Sequence, residues 1–300
     1  MASQFGVIGL GSMGYGIAQS VLRAGHTTFG YDVVPAQQQR FVNEGGSNAH
    51  LTDIIGSLNG VVVVVLNAAQ TEDVLFGENG IAPQMKSGSV IAACATVPPQ
   101  FAIQTEARCR KYGVHYLDAP ISGGAAKAAQ GELSIMASGT PAAFTAAQPI
   151  LDATAETVFK LGDTAGAGSA MKAVNQMLAG THIAMMAEAM TFGMTQGIEP
   201  AAFLNVISKC AGTSWMLENR APHIVNGDYT PRSSVDIWPK DLGIVLDIAK
   251  SAKFSAPITA AALQQFLAAS EAGLGGEDDA AVAKVYARNA NLTLPTLKQE

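Results

Sequence analysis

The sequence opens with a strand-like run, Phe5-Gly6-Val7-Ile8, that breaks into Gly9-Leu10-Gly11-Ser12-Met13-Gly14 and continues with helical spacing through Ile17, Ala18, Val21 and Leu22. Strand and helix are thus joined by a short glycine-rich turn. Gly9 suits the tight turn at the strand end, Gly11 lets backbone N–H groups approach an anion with no Cβ in the way, and Gly14 lets the helix pack closely on the strand. The helix N-terminus then faces the anion. This order suits a dinucleotide pyrophosphate. A second strand, Thr27 to Tyr31, ends at Asp32. A carboxylate there accepts from the adenosine ribose hydroxyls and repels a 2′-phosphate, so NAD is expected over NADP; the alternative is a turn aspartate closing a strand.

Strand and helix signals alternate through the first half. Pro35 starts a helix, Thr52 to Leu58 reads as a short helix, and Val61 to Leu66 is an apolar run that predicts a central parallel strand. Further strands are expected at Ser89 to Ala93, Val114 to Asp118, Leu133 to Ala137 and Thr157 to Lys160, with helices from Pro98 and Pro141. The series implies an α/β fold with a doubly wound parallel sheet, with ligands at the carboxyl ends of the strands. Beyond Gly166 only helical spacing remains, opened by a long helix from Ser169 to about Gln196. The expected division is a dinucleotide-binding domain over 1–165 and an all-helical domain over 166–300. Residues from Asn291 on read as a loosely held tail.

Composition narrows the function. A net charge of −6 over 300 residues argues against nucleic acid as a partner. The three cysteines, Cys94, Cys109 and Cys210, form no disulfide framework, and no metal spacing is present. The charge-free stretch between Lys172 and Glu188 is too short and too polar for a membrane span, which needs about 20 apolar residues. The first strand begins almost at Met1, so no secretory leader and a cytoplasmic location are expected.

Four segments carry candidate chemistry: Asp118-Ala119-Pro120-Ile121-Ser122-Gly123-Gly124; Lys172 and Asn175, which share a helix face; Lys240-Asp241; and the Thr96 region after the Ser89 strand. Together with the glycine fingerprint and Gly166-Ala167-Gly168, they make the chain resemble the β-hydroxyacid dehydrogenases over essentially its whole length. The resemblance implies a Rossmann-type domain followed by a helical domain, and NAD-dependent oxidation of a small hydroxy acid. It implies Lys172 as acid/base, Ser122, Gly123 and Gly124 on the substrate carboxylate, and Asn175 fixing the substrate. Gly9, Leu10, Gly11, Ser12, Met13, Gly14, Asp32, Leu66, Asn67 and Thr96 would line the cofactor, with Lys240 near the nicotinamide. It also favours a homodimer or homotetramer, as does the charge-poor, methionine-rich long helix, which needs cover on nearly every face.

These roles are chemically sensible. Alcohol oxidation needs a base within reach of the hydroxyl, and a free lysine, with a pKa of about 10.4, becomes one only through burial or a neighbouring cation, for which Lys240 is the candidate. The alternative for Lys240 is an ion pair with Asp241. Gln176, Ser233 and Lys127 stand where the family commonly has asparagine, phenylalanine and glycine. Their hydrogen-bonding capacity suits a polyhydroxylated acid better than a methyl-bearing one, unless all three face solvent or packing surfaces. The Ser122 to Ala129 and Lys172 to Gln176 patterns are similar to those of L-threonate dehydrogenases, which makes L-threonate the expected substrate. The rivals are 3-hydroxyisobutyrate, tartronate semialdehyde or succinic semialdehyde chemistry and, from other classes, an imine reductase or a non-catalytic NAD sensor.

Overall fold

The computed structural model describes residues 3–297. The chain divides between Lys172 and Ala173 into two compact units. The first contains β1 (Gln4–Ile8), α1 (Gly14–Arg23), β2 (Thr27–Tyr31), α2 (Pro35–Asn43), α3 (Leu51–Ile54), β3 (Gly60–Val63), α4 (Ala68–Phe76), β4 (Val90–Ala93), α5 (Pro99–Arg110) and β5 (His115–Asp118). These five strands pair in the order β2-β1-β3-β4-β5, all parallel. Alternate residues feed two cores: Val62, Ala92 and Leu117 pack with Phe5, Ile17 and Phe144, while Val61, Val63, Ile91 and Tyr116 pack with Phe29 and Leu58. This is the α/β architecture expected from the alternating signals. The apolar run outlasts its strand: Val64 N still donates to Ile8 O, but the Leu66 N–H turns to Gln70 and the Asn67 side chain caps α4.

One expectation fails beyond β5. The strands β6 (Ile121–Ser122), β7 (Leu133–Ala137) and β8 (Ala155–Lys160), with α6 (Gly124–Gln130) and α7 (Pro141–Thr154) between them, form a separate sheet in which β6 runs antiparallel to β7. Only Ala119 and Pro120 lie between β5 and β6, far short of the dozen or so residues a parallel crossover needs.

The long helix α8 (Ala167–Thr195) starts in the first unit and supplies most of its length to the second. There it is joined by α9 (Pro200–Ile207), α10 (Trp215–Asn226), α11 (Ile237–Ser251), α12 (Pro257–Ala269) and α13 (Ala283–Asn289) around Met186, Met190, Phe203, Leu217, Leu242 and Phe266. A Cβ on Gly180 would come within 2.8 Å of both Leu242 and Trp238, so that glycine allows α8 and α11 to touch closely. Trp238 is a packing residue, stacked on Phe266 with its indole N–H on Asp279 at 3.0 Å. Within the segment expected to be a loose tail, Leu294 rests on the helical core and the Thr296 backbone lies against Gly227, while the Asn291, Thr293 and Leu297 side chains are exposed. Residues 298–300 lie outside the described residues.

Candidate active site

The glycine loop has the shape a pyrophosphate requires. Gly9 holds φ +94°, a left-handed conformation that favours glycine, and donates its N–H to Tyr31 O at 2.8 Å. A Cβ on Gly14 would collide with Gly9 O, whereas one on Gly11 would meet nothing within 4 Å. The loop is thus tight against the sheet at one end and open at the other. Met13 at the N-cap of α1 makes no side-chain cap, leaving the helix N-terminus to receive an anion. Ser12 is exposed and Met13 partly so. Leu10 has its side chain buried in the core and its N–H held by Asp32 Oδ2 at 2.6 Å. Asp32 Oδ1 accepts from Val34 N at 2.8 Å, and a carboxylate has capacity for further donors beside these bonds. Val33 beside it is 98% exposed.

Helix α1 is bolted to α6, and with it the glycine loop to the segment expected to take the substrate carboxylate. A Cβ on Gly16 would lie 2.6 Å from Ala129 N, Ser20 Oγ donates to Ala128 O at 2.9 Å, and Arg23 donates to Ala129 O. At the head of α6, Gly123 and Gly124 adopt φ +134° and +78°, and the space beside Gly124 is open. Two consecutive glycines of this kind expose backbone amides that side chains would otherwise cover. Ser122 precedes them, pinned in β6 opposite Ser134. The stem of Lys127 packs on Gly123, but its Nζ is engaged by Glu156 at 3.0 Å in an exposed pair, a partner the sequence reading did not foresee.

Asp118 organises the start of α8. Its buried carboxylate accepts from Gly166 N (2.9 Å), Ser169 N (2.9 Å), Ser169 Oγ (2.6 Å) and Ser138 Oγ (3.1 Å). Burial raises its pKa, and these donors pull against that rise. The carboxylate also complements the helix N-terminus. One turn later Lys172, 9% exposed, donates to Ile121 O at 2.9 Å. The first turns of α8 therefore belong to the β-rich unit, and the compact units divide inside the helix rather than before it. From sequence Asp118 belongs to a motif without a role of its own; a strand-end aspartate ahead of a glycine-led helix start is the signal for it.

In the helical unit Asn175, Gln176, Asp241 and Lys240 form a chain. Asn175 Nδ2 donates to Gln176 Oε1 at 2.9 Å and Gln176 Nε2 to Asp241 Oδ2 at 2.5 Å. Lys240 Nζ stands 2.6 Å from Asp241 Oδ1, an ion pair whose geometry falls short of a directional hydrogen bond to that oxygen. Asp241 is 2% exposed and Gln176 7% exposed, so the polar position expected at Gln176 to serve the substrate directly is buried against Asn175 and Asp241. Helix α11 begins at Ile237, so Lys240 lies near its start rather than opening it. Ser233 is half-buried in the preceding loop, its carbonyl held by Asp279 N at 2.7 Å. Leu66 is 62% exposed, Asn67 caps α4 through its side chain, and Thr96 is half-buried after β4.

Residues 4–162 match the model of the NAD-binding domain of 6-phosphogluconate dehydrogenase, and residues 166–286 match that described as the NAD-binding of NADP-dependent 3-hydroxyisobutyrate dehydrogenase. An L-threonate dehydrogenase of Cupriavidus necator is 52% identical over 95% of this chain and 97% of its own. The chain belongs to the β-hydroxyacid dehydrogenase family. As a family member it is an NAD-dependent hydroxyacid dehydrogenase, with NAD(P)-binding domains over both halves. An L-threonate dehydrogenase of Haemophilus influenzae is 47% identical over 93% of this chain and 94% of its own. A crystal structure titled 3-hydroxyisobutyrate dehydrogenase, from Salmonella typhimurium, superposes with a TM-score of 0.90 at 47% identity, covering 94% of this chain and 99% of that one. Among the described residues no helix is long and apolar enough to cross a membrane.

Proposed function

We propose that this dehydrogenase oxidises L-threonate to the corresponding 2-oxo acid. The observation that carries the reaction type is the buried Lys172, hydrogen-bonded to Ile121 O beside the open Ser122-Gly123-Gly124 segment. Lys172 Nζ, in its neutral form, removes the proton of the substrate hydroxyl; neutral or charged, it keeps a donor for Ile121 O. The Ser122 hydroxyl and the Gly123 and Gly124 amides hold the carboxylate, and Asn175 holds the substrate one turn beyond the base. Gly9, Gly11, Ser12, Met13 and Gly14 hold the pyrophosphate, Asp32 the adenosine ribose, and Leu66, Asn67, Thr96 and Lys240 the rest of the cofactor. NAD, when bound, supplies the hydride acceptor.

The relatives named L-threonate dehydrogenase support the substrate, as do the polar side chains at Gln176 and Ser233. The structural neighbour titled 3-hydroxyisobutyrate dehydrogenase favours the second reading, oxidation of that shorter acid. NAD reduction measured with threonate, erythronate, glycerate and 3-hydroxyisobutyrate, and NADH oxidation with tartronate semialdehyde, decides between them. The threonate reading requires L-threonate to give the highest kcat/KM. A preference for 3-hydroxyisobutyrate overturns it. The same reading places the enzyme in the cytoplasm as a homodimer or homotetramer that engages neither nucleic acid nor membrane.

A further inference from the structure

The chain of contacts from Asn175 to Asp241 carries direction as well as connection. Asp241 pairs with Lys240, and a carboxylate offers only acceptors. Gln176 must therefore turn its Nε2 toward Asp241, which turns its Oε1 toward Asn175. Asn175 in turn presents Nδ2 to Gln176 and directs Oδ1 away from it. An amide side chain is otherwise free to flip, because its two ends have nearly the same shape. Both Gln176 and Asp241 are more than nine-tenths buried, where water offers little competition and a mispaired group is costly.

We propose that Gln176 and Asp241 are positioning residues that lock the Asn175 amide with its oxygen outward, making it an obligatory acceptor for a substrate hydroxyl next to the one being oxidised. This rests on the proposed substrate-binding role of Asn175. Asn175 follows Lys172 on the same helical face, so a polyol acid whose reacting hydroxyl meets Lys172 has its neighbouring hydroxyl within range of this acceptor. An acid lacking that hydroxyl leaves Asn175 Oδ1 without a donor. The relay thereby discriminates by chemistry rather than by volume.

The test compares L-threonate with 2-hydroxybutanoate, which lacks the further hydroxyls, in wild type, Asn175→Ala, Gln176→Leu and Gln176→Glu. Gln176→Leu is expected to lower kcat/KM for L-threonate about tenfold, mainly through KM, and to change 2-hydroxybutanoate less than twofold. The introduced carboxyl of Gln176→Glu must carry a proton to donate to Asp241, so its kcat/KM for L-threonate is expected to fall with rising pH in a way wild type does not. Equal losses of Gln176→Leu on both acids overturn the relay. Should that variant fail to fold, a Gln176→Glu profile identical to wild type overturns it instead. An Asn175→Ala variant with wild-type kcat/KM on L-threonate removes the underlying substrate contact, a different failure.

Discussion

Lys172 Nζ donates to the carbonyl oxygen of Ile121 at 2.9 Å, joining the long helix to the residue just before Ser122. Asp118 secures the same junction from below through Ser169 at 2.6 Å. The proposed base and the proposed carboxylate segment are therefore held by one piece of structure, an arrangement that would limit their orientational freedom in the reaction. Lys172→Ala should lower kcat by about 10²–10⁴, the range for loss of a general acid/base, with NAD affinity by fluorescence titration little changed. Turnover near wild type removes Lys172 from the chemistry.

The role proposed for Asp32 bears on cofactor choice. Wild type should prefer NAD, and Asp32→Ala combined with Val33→Arg should reverse the preference by removing a repulsive charge and supplying a partner for the 2′-phosphate at a fully accessible position. The ratio of kcat/KM for the two cofactors measures this. A wild-type preference for NADP would contradict the role given to Asp32.

Two polar positions should behave differently. Ser233→Phe should reduce kcat/KM for L-threonate while sparing or improving 3-hydroxyisobutyrate, because an apolar ring strands the substrate hydroxyls. Lys127→Ala should change KM for either acid less than twofold, since it breaks only an exposed pair with Glu156. A large KM rise confined to threonate would return Lys127 to the substrate site.

Asp278, which holds the loop carrying Ser233 through Arg232 N, is expected to give the helical unit an acid sensitivity. Burial disfavours the ionised form of Asp278, but His223 at 2.8 Å and the backbone N–H groups of Arg232 and Ala280 outweigh it and hold the pKa below the ordinary aspartate value. A depressed carboxylate contributes stability that is complete above its unfolded pKa of about 3.9 and is lost as pH falls through the folded value. Thermal melts of Asp278→Asn should therefore lie below wild type at neutral pH and converge with it below about pH 4. A constant difference across that range would assign the loss to packing.

Val174, Leu178, Met185 and Phe192 are each more than half exposed along α8, with Leu178, Met185 and Phe192 spaced by sevens. Such a stripe favours a second copy of the chain as its cover. Light scattering at micromolar concentration should give a dimer or tetramer, and Leu178→Glu with Phe192→Glu should lower the mass. A monomeric wild type contradicts the expectation.

Much of the fold is legible in local sequence. A glycine fingerprint, the apolar strands and a charge-poor helix are short-range patterns, because backbone geometry and periodic burial act over a few residues. The antiparallel β6, the packed segment around Leu294 and the end of β3 at Val63 were not, since each depends on what a distant segment offers as a hydrogen-bond or packing partner. The same division holds for the candidate site. Lys172, Asn175 and the Ser122-Gly123-Gly124 run were nameable through the resemblance to the β-hydroxyacid dehydrogenases, and Asp118 only as part of a motif. That Asp118 gathers Ser138, Gly166 and Ser169, that Lys127 turns to Glu156, and that Asp241 sets the direction of the Gln176 amide were decided by tertiary structure alone. A buried polar group takes its role from the partners that satisfy it, and those partners lie far away along the chain.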